Sequence, residues 1–179
     1  KHGENGVYTT FEEDEKSLKR NMANFGYDLE KLEKEDKISV IGLEVMRGTG
    51  FNANIEFILN KVKAINGKRL VVDSLTAFLT SCDEKFEYRT LMHLFYKILK
   101  QLQCTTVMTC SVPTGFQTLG LGIEEFIADS VLTLENNVYG SELKTRFMIR
   151  KMRGTEHSKK YHDVMISDEG LQIVPFSMV

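Results

Sequence analysis

The chain has 179 residues, 42% of them hydrophobic, enough for one globular domain that buries roughly 70% of its unfolded surface. A formal charge of −2 and a pI near 6.1 exclude a global nucleic-acid signature. No apolar run reaches the ~18 residues of a membrane span, there is no secretory leader, and Cys82, Cys104 and Cys110 form no C-x-x-C, so a membrane-free, reducing, cytoplasmic setting is expected.

Strands and helices alternate along the chain. Residues 7–11 read as a strand, and residues 14–25 as a helix with Leu18, Met22 and Phe25 on one side, ended by Gly26. Residues 28–34 are a short helix capped by Asp28, residues 38–45 a strand, and residues 46–54, with Gly48 and Gly50, a loop. Ile55, Ile58, Leu59, Val62 and Ile65 make one face of a helix closed by Gly67, followed by a short buried strand at 70–73. Residues 84–103 carry the strongest helical pattern, with Leu91, Leu94, Phe95, Ile98, Leu99 and Leu102 in one stripe. A strand at 105–110 places Cys110 in the core. The glycine-rich loop 113–122 has Phe116 and Gln117 but no cation, and reads as a surface loop. A short helix spans 124–128. Strands at 131–134, 146–152, 164–167 and 171–174, with turns at 136–140 and 168–170, read as antiparallel hairpins on the edge of a mainly parallel sheet. With no repeat or linker, residues 1–179 are expected to be a single α/β domain.

Charge is uneven: residues 1–44 hold eleven Asp/Glu against seven Lys/Arg, and residues 144–160 hold seven Lys/Arg against Glu156 alone. These are either two faces that meet in an oligomer or two solvated surfaces. Two strand ends carry the chemistry. One β-prone run stops at Glu12-Glu13, another at Asp73-Ser74, and ligands in parallel α/β sheets bind beyond such carboxyl ends. The pattern is that of a nucleotide hydrolase with a water-activating acid and a magnesium-site acid, yet no G-x-x-x-x-G-K-[ST] occurs. On periodicity alone, Glu12 and Glu13 also read as a water-facing helix cap and Asp73 as a turn former. His157, His162 and Asp163 fit no standard metal spacing, His93 reads as a structural or surface residue of the long helix, and Gly48-Thr49-Gly50 is no dinucleotide fingerprint.

Six blocks, in order, carry a resemblance. GVYTTFEE (6–13) followed by NFGYDL (24–29), RLVVDSL (69–75), EEFIAD (124–129), KMRGTEH (151–157) and ISDEGLQIVP (166–175) resemble the motifs of KaiC-like ATPases in the RecA superfamily. The resemblance implies a RecA-like P-loop NTPase core: an α/β fold with a mainly parallel sheet flanked by helices and C-terminal antiparallel strands. It implies ATP and Mg²⁺ as cofactors. Glu12 would be the main base with Glu13 beside it, one facing the site and the other supporting it, since successive residues of an extended chain point opposite ways. Asp73 would hold Mg²⁺ through water, supported by Ser74. Lys151 and Arg153, two apart on a strand, would reach a nucleotide bound by the neighbouring subunit of a hexameric ring, with Met152, Thr155 and His157 contacting that nucleotide. The alternative for this tract is a basic, solvated edge strand.

Two departures stand out. Family members carry a strand, a P-loop and a helix ahead of the block that begins here near Gly3. That strand lies inside the sheet, so the resemblance implies a longer natural protein and little or no hydrolysis by this chain alone. At Ser111, clock members carry Glu, and no sensing role follows here. The expected function is an ATP-hydrolysing module in a homo-oligomeric ring, with protein partners in signalling possible. A P-loop-less, non-catalytic assembly subunit is the alternative, and a recombinase-like DNA-binding ATPase a further one; nucleic acid is possible but not indicated.

Overall fold

The computed structural model describes residues 3–43, 50–79, 85–112, 124–167 and 170–176. They form two compact units, Lys1–Ile123 and Glu124–Val179.

In the first unit, β1 (Gly6–Thr10), β2 (Ile38–Gly42), β3 (Arg69–Asp73) and β4 (Thr105–Met108) make a parallel sheet in the order β2-β1-β3-β4. Their β-branched and apolar runs suit strands buried on both faces. The helices are α1 (Glu15–Asn24), α2 (Leu29–Lys34), α3 (Gly50–Ala64), α4 (Leu75–Leu79) and α5 (Lys85–Gln101). Asp14 caps α1 by accepting from the Lys16 and Ser17 amides, and Asp28 caps α2 through the Lys31 amide. The chain leaves α1 through Gly26 at φ +79°, a turn that glycine enters without Cβ strain. Ile58 and Val62 of α3, Leu70 and Val72 of β3, Phe78 of α4 and Phe95 of α5 are fully buried and form the centre of the core. A smaller cluster of Leu18, Leu29 and Val40 packs with Met22, Leu32, Ile38 and the ring of Tyr8. The Glu33 and Glu15 carboxylates accept from the outward amides of Val40 and Gly42, closing the edge of β2.

Several boundaries differ from the sequence reading. α3 begins at Gly50, so residues 50–54 are helical; residues 44–49 lie outside the described part. The left-handed residue after α3 is Asn66 (φ 50°), not Gly67. The buried stripe of α5 runs through Met92, Phe95 and Leu99, and Leu94 is 54% exposed. β4 stops at Met108, which leaves Cys110 exposed; Cys104 is the buried cysteine. Cys82 and the loop 113–122 lie outside the described residues. Among the described residues no helix is long and apolar enough to cross a membrane.

The second unit holds α6 (Glu124–Ile127) and a four-stranded antiparallel meander, β5 (Ser130–Tyr139), β6 (Glu142–Met152), β7 (His162–Ser167) and β8 (Gly170–Pro175). These strands form their own sheet instead of a hairpin edge on the parallel one. Residues 136–139 continue β5: Asn136 pairs with Thr145, and the Thr145 hydroxyl donates to Asn136 Oδ1 at 2.7 Å. The turn falls one step later, at Gly140 (φ 60°). β6 pairs with β5 along its length but with β7 only at Thr145–Phe147, so its end at Lys151–Met152 pairs on one side among the described residues. Register pairs align Leu132, Leu134 and Val138 with Ile149, Phe147 and Leu143 on one face, and much of that apolar face is exposed.

Candidate functional site

Parallel register brings the two carboxylate strand ends together: Thr10 of β1 lies beside Asp73 of β3. Asp73 accepts on both oxygens, from the Tyr8 hydroxyl on Oδ2 at 2.7 Å and from the Thr109 hydroxyl on Oδ1 at 2.6 Å. Burial raises the Tyr8 phenol above its ordinary pKa, and the hydrogen bond to Asp73 and the charges of Asp73 and Glu13 add to this. Tyr8 is therefore a neutral donor throughout the physiological range.

The acids that follow β1 are set by a turn. The Thr10 hydroxyl accepts from the Glu12 amide (3.3 Å) and the Glu13 amide (3.0 Å), and the Phe11 amide donates to the Asp73 carbonyl at 2.7 Å. Phe11 stacks on Phe78 with ring centroids 4.8 Å apart. The expectation of an extended chain at Glu12-Glu13 is corrected: residues 11–13 bend, because the Thr10 side chain captures two amides that a strand would project elsewhere. The two carboxylates still diverge. Glu12 accepts from the Ser74 hydroxyl, and Glu13 Oε1 accepts from Asn21 Nδ2 at 2.6 Å. Ser74 Oγ also accepts from the Ala77 amide at 3.1 Å, capping α4. Ser74 thus serves Glu12 and the helix, not the Asp73 carboxylate.

Among the described residues, Glu12, Glu13 and Asp73 meet only neutral donors, so their negative charge has no cationic partner. Hard oxygen ligands of this kind suit Mg²⁺. The described residues include no group of three or more His, Cys, Asp or Glu placed to hold an ion directly.

In the second unit, Lys151 and Arg153 converge on α6. Lys151 Nζ donates to the carbonyls of Glu125 (2.5 Å) and Ala128 (2.7 Å). Arg153 Nη2 donates to the Phe126 carbonyl at 2.6 Å, and its Nη1 lies 3.3 Å from Asp129 Oδ1. The two cations satisfy carbonyls that so short a helix leaves unpaired. Arg153 lies one residue beyond β6, so its convergence with Lys151 comes from the turn, not from strand alternation. Met152 ends the strand opposite Ser130, and Thr155 is exposed with its carbonyl 3.1 Å from His157 Nδ1. His157 Nε2 is buried without a partner among the described residues. At Arg150 the ladder bulges, since Val131 pairs with Lys151 and Leu132 with Ile149. Arg150, Lys151, Glu125, Phe126 and Val131 line a shallow depression of about 240 Å³.

The family model described as "ATPase: KaiC" matches residues 1–177. The chain belongs to the KaiC ATPase family. The circadian clock oscillator protein KaiC of Synechococcus elongatus is 33% identical over 96% of this chain, which spans 35% of that protein. The circadian clock protein KaiC3 of Synechocystis is 30% identical over 99% of the chain and 37% of its own length. The chain thus spans about a third of the curated relatives it matches. A crystal structure of a KaiC-like protein from Pyrococcus horikoshii superposes with a TM-score of 0.86 at 37% identity, covering 98% of this chain and 77% of that one. The fold is the RecA-like P-loop NTPase fold, with parallel and antiparallel sheets.

Within this KaiC-family fold the structure brings Glu12, Ser74, Glu13 and Asp73 to one sheet end, and places Lys151, Met152, Arg153, Thr155 and His157 on the second unit. Sequence reasoning missed Tyr8, Thr10, Asn21 and Thr109. Alternation places Tyr8 on the same side of β1 as Thr10, a signal within reach; Thr109 needed the strand order.

Proposed function

We propose that this chain is the ATP-binding and hydrolysing module of a longer KaiC-like protein that works as a homo-oligomeric, hexameric ring with sites shared between subunits. The observation that carries the reading is the row of carboxylates at the ends of β1 and β3, held by neutral donors and lacking a cation among the described residues.

In this mechanism Glu12 is the base. Its carboxylate is oriented by the Ser74 hydroxyl and takes a proton from the water that attacks the γ-phosphorus, while the bond to the bridging oxygen of the leaving diphosphate breaks. Glu13, tied to Asn21, supports the turn and adds negative potential. Asp73 would hold the nucleotide's magnesium through water, and that ion would supply charge neutralisation of the phosphoryl oxygens. Arg153 is the residue offered to a neighbouring subunit's nucleotide: its side chain is half exposed and one of its contacts is a long 3.3 Å pair. Lys151, held by two carbonyls, positions α6 at that edge. Met152, Thr155 and His157 complete the contact surface.

We further propose that a phosphate-binding loop is supplied by chain ahead of Lys1. Two observations support this. Among the described residues β4 pairs on one side only, leaving the other row of backbone groups unmatched. The strand β5 likewise pairs only with β6, beside an exposed apolar face. Both are conditions that a further strand and helix relieve.

The test is the natural gene and its product. A G-x-x-x-x-G-K-[ST] encoded upstream, with Mg-ATP binding and turnover by the full-length protein, is the expected result. A native start at this position and no nucleotide binding would move the protein to a non-catalytic assembly subunit.

A further inference from the structure

We propose that Tyr8 and Thr109 are positioning residues for Asp73: together they fix the plane of its carboxylate and present it to the water of a hydrated divalent cation. The inference rests on the nucleotide-site reading above and deepens it.

The sheet dictates the arrangement. Tyr8 pairs with Val71, two residues before Asp73, so its long ring leans diagonally along the sheet to reach the carboxylate. The ring is anchored in the cluster of Leu18, Leu29 and Val40, leaving only the hydroxyl at the site. From the other side, Val72 pairs with Met108, which brings Thr109 alongside Asp73. The Thr109 backbone is itself fixed: its amide donates to Val72 (3.1 Å) and its carbonyl accepts from Leu75 (2.8 Å).

The chemistry follows from which oxygens are used. The terminal torsion of an aspartate is broad and roughly two-fold, so a carboxylate held at one oxygen still swivels. Here each oxygen takes a separate donor, one from β1 and one from the residue after β4, at 2.7 and 2.6 Å. Swivelling would break one bond or the other. Each oxygen keeps one further lone pair, enough to accept from a water of a hydrated ion. A carboxylate that accepts from water in this way suits Mg²⁺, which keeps several of its waters.

Equilibrium binding of a fluorescent ATP analogue to the full-length natural protein, titrated with Mg²⁺, tests the assignment. Tyr8→Phe with Thr109→Val keeps the ring and the side-chain shape and removes both donors. The Mg²⁺ concentration at half-saturation is expected to rise by about tenfold or more, while binding in EDTA stays unchanged; outer-shell partners of metal sites typically matter at about this level. Thr109→Ser, which keeps a donor, should retain wild-type behaviour in the Tyr8-intact protein. A crystal structure of the double variant should find the Asp73 carboxylate turned from its present plane. An unchanged Mg²⁺ midpoint, or an unchanged carboxylate, would overturn the clamp. A wild-type protein that binds no nucleotide, with the carboxylate still turning in the variant, would overturn the nucleotide reading and leave the clamp standing.

Discussion

One hydroxyl, that of Ser74, joins two parts of the site. It donates to Glu12 and accepts from the Ala77 amide, so the base is tied to the start of α4. Ser74→Ala removes both bonds in a buried position. We predict a stability loss of about 1 kcal/mol, the usual cost of a lost cap, read by chemical denaturation, together with slower turnover from a base that has lost its orienting donor. Cysteine chemistry separates two other residues. Burial pushes the Cys104 thiol above its ordinary value, so its thiolate is scarce near neutrality. Its contribution to stability is present below the ordinary thiol value of about 8.5 and is lost as pH rises through the raised one. Alkylation followed by mass spectrometry should find Cys104 slow in the native protein and fast after denaturation, with the exposed Cys110 labelled first. Equal native rates would contradict this packing.

At the scale of elements, α6 and α5 make opposite demands. α6 is only four residues long, and the carbonyls of Glu125, Phe126 and Ala128 at its end are closed by Lys151 and Arg153. Lys151→Met should leave carbonyls unpaired and cost roughly 1–3 kcal/mol, with hydrogen exchange rising in residues 124–129. α5 is held by its apolar stripe, and Phe95→Ala should cost about 3–5 kcal/mol in equilibrium unfolding, because the ring is fully buried. Sequence periodicity found α5 but rotated its stripe to include Leu94. A helix tolerates apolar residues on either flank of its buried face, and only the packing partners decide which are covered. The helix α4 was invisible because Leu75–Leu79 continues the apolar run of β3 and is too short to display a period. Asn136 and Asn137, ordinary turn formers, sit instead in the β5 ladder opposite Thr145 and Lys144, where the hairpin's register outweighs local preference. The acids Glu12 and Asp73 were legible because each ends an apolar run. Tyr8 was within reach through alternation along β1, whereas Thr109 was not, because its place beside Asp73 depends on which strands lie side by side.

At the scale of the whole molecule, the proposed ring would bring Arg153 of one copy to the nucleotide of another. Arg153 acting on a neighbour's nucleotide predicts complementation. Mixtures of Arg153→Ala and Glu12→Gln full-length subunits should regain part of the activity that each lacks alone, and mixtures as inactive as their components would count against a shared site. A second test bears on the proposal that the strand-end carboxylates form a hydrolytic centre with Glu12 as its base. The decisive measurement is Mg-ATP turnover and nucleotide binding by the full-length protein with and without Glu12→Gln. With Glu12 as the base, Glu12→Gln lowers turnover by about 10²–10⁴-fold and retains nucleotide binding; turnover equal to wild type would rule Glu12 out as the base.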